Sequence, residues 1–208
     1  ISEVVFSPDG GKLAVSGGVL YHGKVVMFDV KTGKVAWAHP DTADTTDVGI
    51  AFSPDGRWLA STGVSRNENG TRRDQRVNLW DAATGKLVKT FEGHDGLLMS
   101  VAFAPDGKTI ATASRTGAAD HWNLSTGRIG ARLRALDHDP RASGFVTVVF
   151  SPDGNRLAVS HSDGTLRLWN PEIGTLEREL PLGKRRPRSI AFSPDGKLLA
   201  SANWVEES

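Results

Sequence analysis

The sequence contains no cysteine, and it has only 2 methionines and 1 tyrosine among its 208 residues. The absence of cysteine excludes disulfide bonds, cysteine-ligated zinc sites and thiol nucleophiles. It leaves the redox compartment undetermined, with the cytoplasm slightly favoured. No apolar run approaches the roughly 20 residues that a membrane-spanning helix needs, so we expect no membrane partner.

An excess of charge of one sign is also missing, since 25 Lys and Arg stand against 24 Asp and Glu for a formal net charge of +1. Proteins that bind nucleic acid by bulk charge are strongly basic, so this balance argues against a nucleic-acid partner. The content of 38% hydrophobic and 24% charged residues is that of an ordered globular chain. The chain begins at Ile1 without an initiator Met, and we expect it to be an internal piece of a longer protein.

The sequence does contain a repeat. The string Phe-Ser-Pro-Asp-Gly, with Ala in place of Ser in the third copy, begins at Phe6, Phe52, Phe103, Phe150 and Phe192. Pro favours the second position of a four-residue turn, Asp tolerates the third, and Gly accepts the backbone conformation at the exit. Alternating apolar residues flank each turn, so each copy predicts a β-hairpin.

A third predicted strand ends at an aromatic residue that Asp or Asn follows, at Phe28, Trp80, Trp122 and Trp169. A Gly stands five residues after each of these aromatic residues, and a fourth apolar segment comes next. Pro and Gly interrupt every candidate helix. Each repeat is therefore predicted to be a four-stranded antiparallel meander.

These units resemble WD repeats, the four-stranded blades of β-propellers, which carry Gly-His before the first strand and Trp-Asp at the end of the third. Gly93-His94 and Trp80-Asp81 match both pairs literally. Other propeller families that use Pro-Asp-Gly turns are the alternative. The resemblance implies an all-β, WD-repeat-type β-propeller segment.

The resemblance extends over residues 1–208 as a single segment, with units at approximately 1–46, 47–96, 97–144 and 145–186 and a partial unit at 187–208. Propellers have typically about 4 to 8 blades and close into a ring. Four and a half blades make an incomplete ring, so we expect exposed apolar blade faces. Missing blades of the parent chain, or self-association, would cover them.

WD-repeat blades often bury a hydrogen-bonded set: a His before the first strand, a Ser or Thr on the second strand, an Asp in the turn between the second and third strands, and the Trp of the third strand. The resemblance implies such sets where residues match, although no repeat is complete at the standard spacing. The candidates are His39, Thr62 or Ser61, Asp74 and Trp80 in the second repeat, His94, Thr112 and Trp122 in the third, and His138, Ser160, Asp163 and Trp169 in the fourth. We interpret them as structural, because buried polar groups must be paired.

The lengths of the connections vary at only one edge of the predicted blades. In a meander, the turns joining strands one to two and three to four lie at one edge of the blade, termed the first edge, and the other connections lie at the second edge. First-edge spacings are constant. At the second edge the first and second repeats carry insertions of 3 and 9 residues, and the third linker is 5 residues longer than the shortest. Variable loops on a rigid scaffold often carry binding residues, although neutral drift explains the variation equally well.

The second edge also collects basic residues, and the largest insertion, Gly63–Arg73, reads as a polar loop. The predicted partner-binding rim consists of Arg66, Asn67, Arg72, Arg73, Arg141, Lys184, Arg185, Arg186 and Arg188. Such a rim suits acidic or phosphorylated peptides or a nucleic-acid backbone. A solvated charged loop is the plainer interpretation.

Catalytic motifs are missing: there is no phosphate-binding loop, no His-Glu-x-x-His and no Gly-x-Ser-x-Gly, and no two His stand at ligand spacing. We therefore predict no catalytic residue, no cofactor and no metal. The sequence predicts a non-catalytic interaction scaffold that binds a protein or peptide through the rim. The alternatives are a propeller domain of a larger enzyme and an arginine-rich surface for phosphorylated or nucleic-acid ligands.

Overall fold

A computed structural model describes residues 2–19, 22–39, 49–66, 73–94, 96–134, 146–161, 163–183 and 186–204. These residues form the strands β1 (Glu3–Phe6), β2 (Lys12–Val19), β3 (His22–Asp29), β4 (Val35–Ala38), β5 (Ile50–Phe52), β6 (Trp58–Arg66), β7 (Arg73–Asp81), β8 (Leu87–Glu92), β9 (Leu98–Phe103), β10 (Thr109–Ser114), β11 (Ala119–Asn123), β12 (Ile129–Leu133), β13 (Val148–Phe150), β14 (Leu157–Ser160), β15 (Thr165–Asn170), β16 (Thr175–Pro181), β17 (Arg186–Phe192) and β18 (Leu199–Trp204). None of the described residues belongs to a helix, so no helix among them is able to cross a membrane.

The strands form antiparallel sheets in chain order. β1–β4, β5–β8, β9–β12 and β13–β16 each make one four-stranded sheet, and β17 pairs with β18. This order confirms the predicted four-stranded meander. The described residues form four complete blades and two strands of a fifth, which is the incomplete set of blades that the sequence predicts. The chain divides into two compact units, Ile1–His94 with the first two blades and Asp95–Ser208 with the others.

The first turn of each blade is built by its own side chains, as the second blade shows. The Gly56 N–H donates to the Ser53 carbonyl oxygen at 2.9 Å, and Gly56 has a φ of +68°. The Ser53 hydroxyl donates to Asp55 Oδ1 at 2.5 Å and accepts from the Trp58 N–H at 2.9 Å. The Ser53 hydroxyl, helped by the Arg57 N–H, lowers the pKa of the Asp55 carboxyl below its ordinary value. These bonds fix the length of the turn, which explains the constant spacing at the first edge.

The third blade keeps the same turn without the hydroxyl. The Gly107 N–H donates to the Ala104 carbonyl oxygen at 2.9 Å, and the Lys108 N–H donates to Asp106 Oδ1 at 2.9 Å. Since Ala104 stands at the position of Ser53, the backbone bonds and the Pro-Asp-Gly sequence are sufficient for the turn.

The residue after the third-strand aromatic closes the second turn at the first edge. Asp81 Oδ1 accepts from the Thr84 N–H at 2.9 Å and from the Thr84 hydroxyl at 2.8 Å. The Gly85 N–H donates to the Asp81 carbonyl oxygen at 2.8 Å. The Asp of the Trp-Asp pair therefore shapes a turn, and Asn123 accepts the same two bonds from Thr126.

Core residues lie between neighbouring sheets. Phe52 pairs in register with Leu59, and Leu59 pairs with Trp80. Leu59 and Trp80 are 0% and 2% exposed, and they pack with Val25 and Met27 of the first blade. Removing apolar surface from water stabilises the fold by about 25 cal/mol per Å². Because the facing sides of the sheets hold the core, the blade edges remain available for loops and contacts.

In the first and third blades, the side chain three residues before the Phe of the first strand contacts the first strand of the next blade. Glu3 Oε2 accepts from the Ile50 N–H at 2.7 Å, and Ser100 Oγ accepts from the Val148 N–H at 3.3 Å. Burial, opposed by the bond from Ile50, raises the pKa of Glu3 above its ordinary value. This position therefore fixes one blade against the next within each compact unit.

Candidate interaction surfaces

In the second blade, Trp80 is hydrogen-bonded to Ser61. The indole Nε1 donates to Ser61 Oγ at 2.9 Å, whereas Thr62 Oγ1 accepts from the Gly49 N–H at 2.9 Å. Alternate residues of a strand face opposite sides of the sheet. Ser61 shares the side of Leu59, which pairs with Trp80, and Thr62 faces the other way. Ser61, not Thr62, therefore lies beside the indole.

His39 contacts the same indole. Its ring centroid lies 4.4 Å from that of Trp80, with the ring planes tilted by 59°. Asp74 was expected in a turn, but it lies within β7, in register with Ser65 of β6. The turn position moved because the β6–β7 pairing continues past Asp74.

The third blade brings two candidates into contact. Trp122 Nε1 donates to Thr112 Oγ1 at 3.2 Å. Thr112 stands two residues after Ile110, which pairs with Trp122, as Ser61 stands two residues after Leu59. His94 is half-buried and lies between β8 and β9. The hydroxyl two residues after the paired aliphatic residue is the common partner of the indole.

The fourth blade lacks that hydroxyl. Trp169 pairs with Leu157, and the residue two positions further is Val159. Ser160 is turned to the other side, where its Oγ accepts from the Thr147 N–H at 2.8 Å. Trp169 is 3% exposed, and its Nε1 has no hydrogen-bond partner within the described part of the chain. The expected pairing of Ser160 with Trp169 is therefore not made, and His138 lies outside the described residues.

The face that Val159 presents to Trp169 yields a testable prediction. We expect Val159→Thr to leave the free energy of unfolding nearly unchanged, because the new hydroxyl accepts the unpaired N–H of Trp169. The control is the same substitution beside Trp169→Phe, where the buried hydroxyl lacks this donor and costs about 1–3 kcal/mol. Chemical denaturation of the wild-type chain, the two single variants and the double variant measures the coupling energy between the new hydroxyl and the indole. Equal losses from Val159→Thr in both backgrounds would refute it.

Asp163 lies in the turn between β14 and β15 and belongs to an ion-pair group. Its Oδ2 accepts from Arg167 Nη1 at 2.9 Å, and Arg167 Nε donates to Glu179 Oε1 at 2.6 Å. The Arg167 side chain is 3% exposed, so both carboxylates compensate a buried charge. In the third blade Asp120 occupies the position of Arg167, two residues before the Trp, and pairs with Arg134 at 2.9 Å.

We interpret these buried ion pairs as structural. The ion pairs of Arg167 and Asp120 join a third strand to the preceding turn or to the outer segment of the same blade. Within the described ranges, no three His, Asp or Glu side chains are placed to hold a metal ion. The surfaces of the blades are therefore the candidates for function.

At the second edge, the insertions lengthen strands. β6 and β7 pair as far as Arg66↔Arg73, four residue pairs beyond Thr62↔Val77. The equivalent pair of the third blade, Ala113↔Ala119, is the last between β10 and β11. The segment Gly63–Arg66 and Arg73 are thus strand residues, which corrects the expected loop. The register explains this, because residues 63–66 and 73–76 continue the antiparallel ladder of β6 and β7.

The first blade has the same feature. β2 and β3 pair as far as Val19↔His22, three residue pairs beyond Ser16↔Val25. The pairs β2–β3 and β6–β7 are termed the extended hairpins. Both belong to the unit Ile1–His94, so this unit carries two lengthened hairpins at the second edge of its blades.

The predicted rim residues fall into three groups. Arg66 and Arg73 end the described part of the β6–β7 hairpin as a cross-strand pair. Arg186 begins β17, and Arg188 is exposed, with its carbonyl oxygen accepting from the Thr147 hydroxyl at 3.1 Å. The others lie outside the described residues: Asn67, Arg72, Arg141, Lys184 and Arg185.

One apolar blade face is uncovered, as the sequence predicts for an incomplete set of blades. Val4 and Phe6 on β1 are 48% and 61% exposed. The residues at the position of Val4 in the second and fourth blades, Ile50 and Val148, are 1% and 2% exposed. This face of the first blade thus has the residue pattern of a core surface.

Comparison with known sequences agrees with the blades. The profile of the WD domain, G-beta repeat (WD40), matches residues 38–81, 85–123, 132–170 and 181–204. The first three matches end at Asp81, Asn123 and Asn170, the residues that follow the third-strand Trp. Repeats of this family generally mediate protein–protein interaction, and the family is generally non-enzymatic.

The curated relatives carry WD repeats or similar segments. WD repeat-containing protein SL1-17 of Schistosoma mansoni is 28% identical over 185 residues, 86% of this chain and 58% of that protein. WD repeat and SOCS box-containing protein 1 of Homo sapiens is 30% identical over 108 residues, 50% of this chain and 23% of that protein. Nuclear distribution protein PAC1 of Arthroderma benhamiae is 31% identical over 84 residues, 39% of this chain and 18% of that protein.

The chain thus spans 58% or less of the length of these relatives. The family match covers most of the chain, and each of its first three stretches ends with the third strand of a blade. This chain belongs to the WD40 repeat family.

Proposed function

We propose that this chain is a non-catalytic protein-interaction module that binds an acidic segment of a protein partner through its extended hairpins. The register of the β6–β7 hairpin carries the proposal, since it places Arg66 directly opposite Arg73. Like charges at opposed positions destabilise a strand pair. Carboxylates of a partner would offset this repulsion and form charge-assisted hydrogen bonds with the guanidinium groups.

The form of the hairpins supports the same role. Backbone pairing holds residues 63–66 and 73–76 in an ordered ribbon, so binding orders fewer residues than it would in a free loop. The core that Leu59 and Trp80 form holds the base of the β6–β7 hairpin. A rigid scaffold with variable projections is the usual arrangement of binding surfaces. Local charge on a nearly neutral chain fits one acidic partner better than non-specific attraction to polyanions.

Charge reversal tests the proposal. The double variant Arg66→Glu with Arg73→Glu is compared with the wild-type chain and with Lys34→Glu plus Lys86→Glu. This control makes the same change of net charge at the first edge, where Lys34 and Lys86 are exposed. Each immobilised full-length chain is used to capture proteins from a nuclease-treated extract, and captured proteins are quantified by mass spectrometry.

We expect the arginine double variant to lose at least tenfold in the yield of the wild-type partners, because its carboxylates repel an acidic segment. The lysine control should retain them. Capture of the same proteins at the same yield by the folded arginine variant would refute the proposal. Loss of capture on nuclease treatment alone would show that nucleic acid, rather than protein, is the ligand.

A further inference from the structure

Two equivalent interfaces between blades differ in the size of the side chain that the outer strand places there. In the first blade, Trp37 of β4 pairs in register with Met27 of β3. Met27 is fully buried, and Trp37 packs against the same core cluster. The indole Nε1 of Trp37 donates to the Ala82 carbonyl oxygen at 3.1 Å. A Cβ built at Gly85 would lie 2.7 Å from Cδ2 of this indole. The large ring thus fills the space beside the second turn of the neighbouring blade.

The third blade has smaller residues at these positions. Ala131, four residues after Gly127 as Trp37 is four after Gly33, pairs with His121 of β11. A Cβ built at Gly174, which corresponds to Gly85, would lie 3.3 Å from the Ala131 Cβ. An alanine therefore stands where the first blade has an indole, and a histidine stands where it has Met27.

His121 replaces the hydrogen bond of the missing indole but not its volume. It donates to the carbonyl oxygen of Pro171, which follows Asn170 as Ala82 follows Asp81. Ligand pockets typically have volumes of about 300 to 1,000 Å³. The hollow beside His121 has a volume of ≈ 510 Å³. It is termed the His121 pocket, and its lining includes His121, Pro105, Gly130, Phe150, Pro171 and Glu172.

The walls of the His121 pocket combine aromatic and acidic groups. The His121 ring stands edge-on to Phe150, with centroids 6.0 Å apart. Burial, opposed by the bond to Pro171 and by nearby carboxylates, lowers the pKa of His121 below its ordinary value. A neutral imidazole that donates from one nitrogen accepts at the other. Three carboxylates line the pocket against the single ammonium group of Lys108: Asp106, Asp153 and Glu172.

We propose that the His121 pocket binds a tryptophan side chain of a peptide whose neighbouring residues are basic. The indole lies beside Pro171, the residue that corresponds to Ala82, the hydrogen-bond partner of Trp37. It packs against Phe150 and Pro105 and donates its N–H to the imidazole of His121. Lysine or arginine residues on either side face the surplus of carboxylates. The site is separate from the extended hairpins, so it does not rest on the function proposed above.

The test uses the peptide Ac-Lys-Trp-Lys-NH2 as the probe and the imidazole resonances of His121 as the readout. We expect saturable shifts at His121 and at the backbone of Ala131. Ac-Glu-Trp-Glu-NH2 should bind at least tenfold more weakly, and Ac-Lys-Ala-Lys-NH2 should cause no saturable shift. The absence of a saturable response to Ac-Lys-Trp-Lys-NH2 would overturn the proposal.

The second part of the test uses variants in which a larger side chain occupies the His121 pocket. Ala131→Trp copies the first blade and should weaken probe binding at least tenfold, whereas Ala36→Trp adds an exposed indole to the first blade and should leave it unchanged. Ala131→Leu fills the pocket in part and serves if the larger substitution prevents folding. Unchanged probe affinity in a folded Ala131 variant would refute the assignment of this pocket.

Discussion

Replacing Trp80 by Ala is expected to lower the free energy of unfolding of the unit Ile1–His94 by about 3–5 kcal/mol, the range for large aromatic residues in cores. Trp80 is 2% exposed and packs in the cluster that joins the first two blades. The substitution also removes the donor to Ser61 and the ring that contacts His39.

Chemical denaturation followed by circular dichroism measures this loss, and hydrogen exchange locates it. Because the chain has two compact units, the transition of Ile1–His94 should move while exchange within Asp95–Ser208 keeps its wild-type rate. Trp169→Phe is a matched comparison for Trp80→Phe. Trp80→Phe leaves Ser61 without its donor. Trp169→Phe removes an N–H that has no partner among the described residues. A loss below about 1 kcal/mol for Trp80→Ala would contradict its role in the core.

The turns and the strand order could be predicted from sequence because their causes are local. Pro8, Asp9 and Gly10 are adjacent, and the Ser7 hydroxyl reaches Asp9 within the same turn at 2.5 Å. The constant spacings at the first edge then place one strand on each side of every turn. Nothing beyond antiparallel pairing of neighbours is needed to obtain the four-stranded sheets.

The partners of the buried tryptophans depend on register. Spacing named Thr112 correctly and left Ser61 and Thr62 as alternatives, of which Ser61 bonds to Trp80, whereas Ser160 makes no bond to Trp169. Thr62 and Ser160 are polar and stand one residue beyond the correct position, so both face the wrong side of their strands. A shift of one residue exchanges the two faces of a strand. The signal was present in Leu59, Ile110 and Leu157, since the residue two positions after each faces the tryptophan.

The extended hairpins and the His121 pocket needed the structure for different reasons. Gly63–Arg66 reads as loop because Gly and polar residues dominate it, yet a partner strand of matching length is enough to extend a ladder. The pocket is lined by Pro171, which corresponds to the hydrogen-bond partner of Trp37, in a blade that has alanine at the position of Trp37. Aligning the repeats on Gly33 and Gly127 would have shown the exchange, but not the hollow.

Shortening the β6–β7 hairpin is expected to weaken partner binding at least tenfold. Residues 63–76 are replaced by the five-residue sequence of Ser114–Ala118, the turn of the third blade. The change removes nine residues, the length by which the second repeat exceeds the third, and it keeps Thr62 paired with Val77. Arg66 and Arg73 disappear together with the ribbon that presents them, while Trp80 and its core remain.

Two separate controls test whether the shortened chain folds and whether its loss of binding is specific to the hairpin. The shortened chain should keep the circular dichroism spectrum of a β protein, because Thr62 and Val77 still pair as the last residues of the hairpin. Ala131→Trp is the matched control for binding, since it alters the His121 pocket in the other compact unit. We expect this control to bind the same partner with wild-type affinity.

The most direct test compares the dissociation constants of a captured, purified partner for the wild-type chain and for the shortened chain. Isothermal titration calorimetry at one salt concentration measures both. A module that binds through its extended hairpins should show a dissociation constant at least tenfold higher after shortening. A folded, shortened chain that binds the partner within twofold of the wild-type value would contradict this account of function.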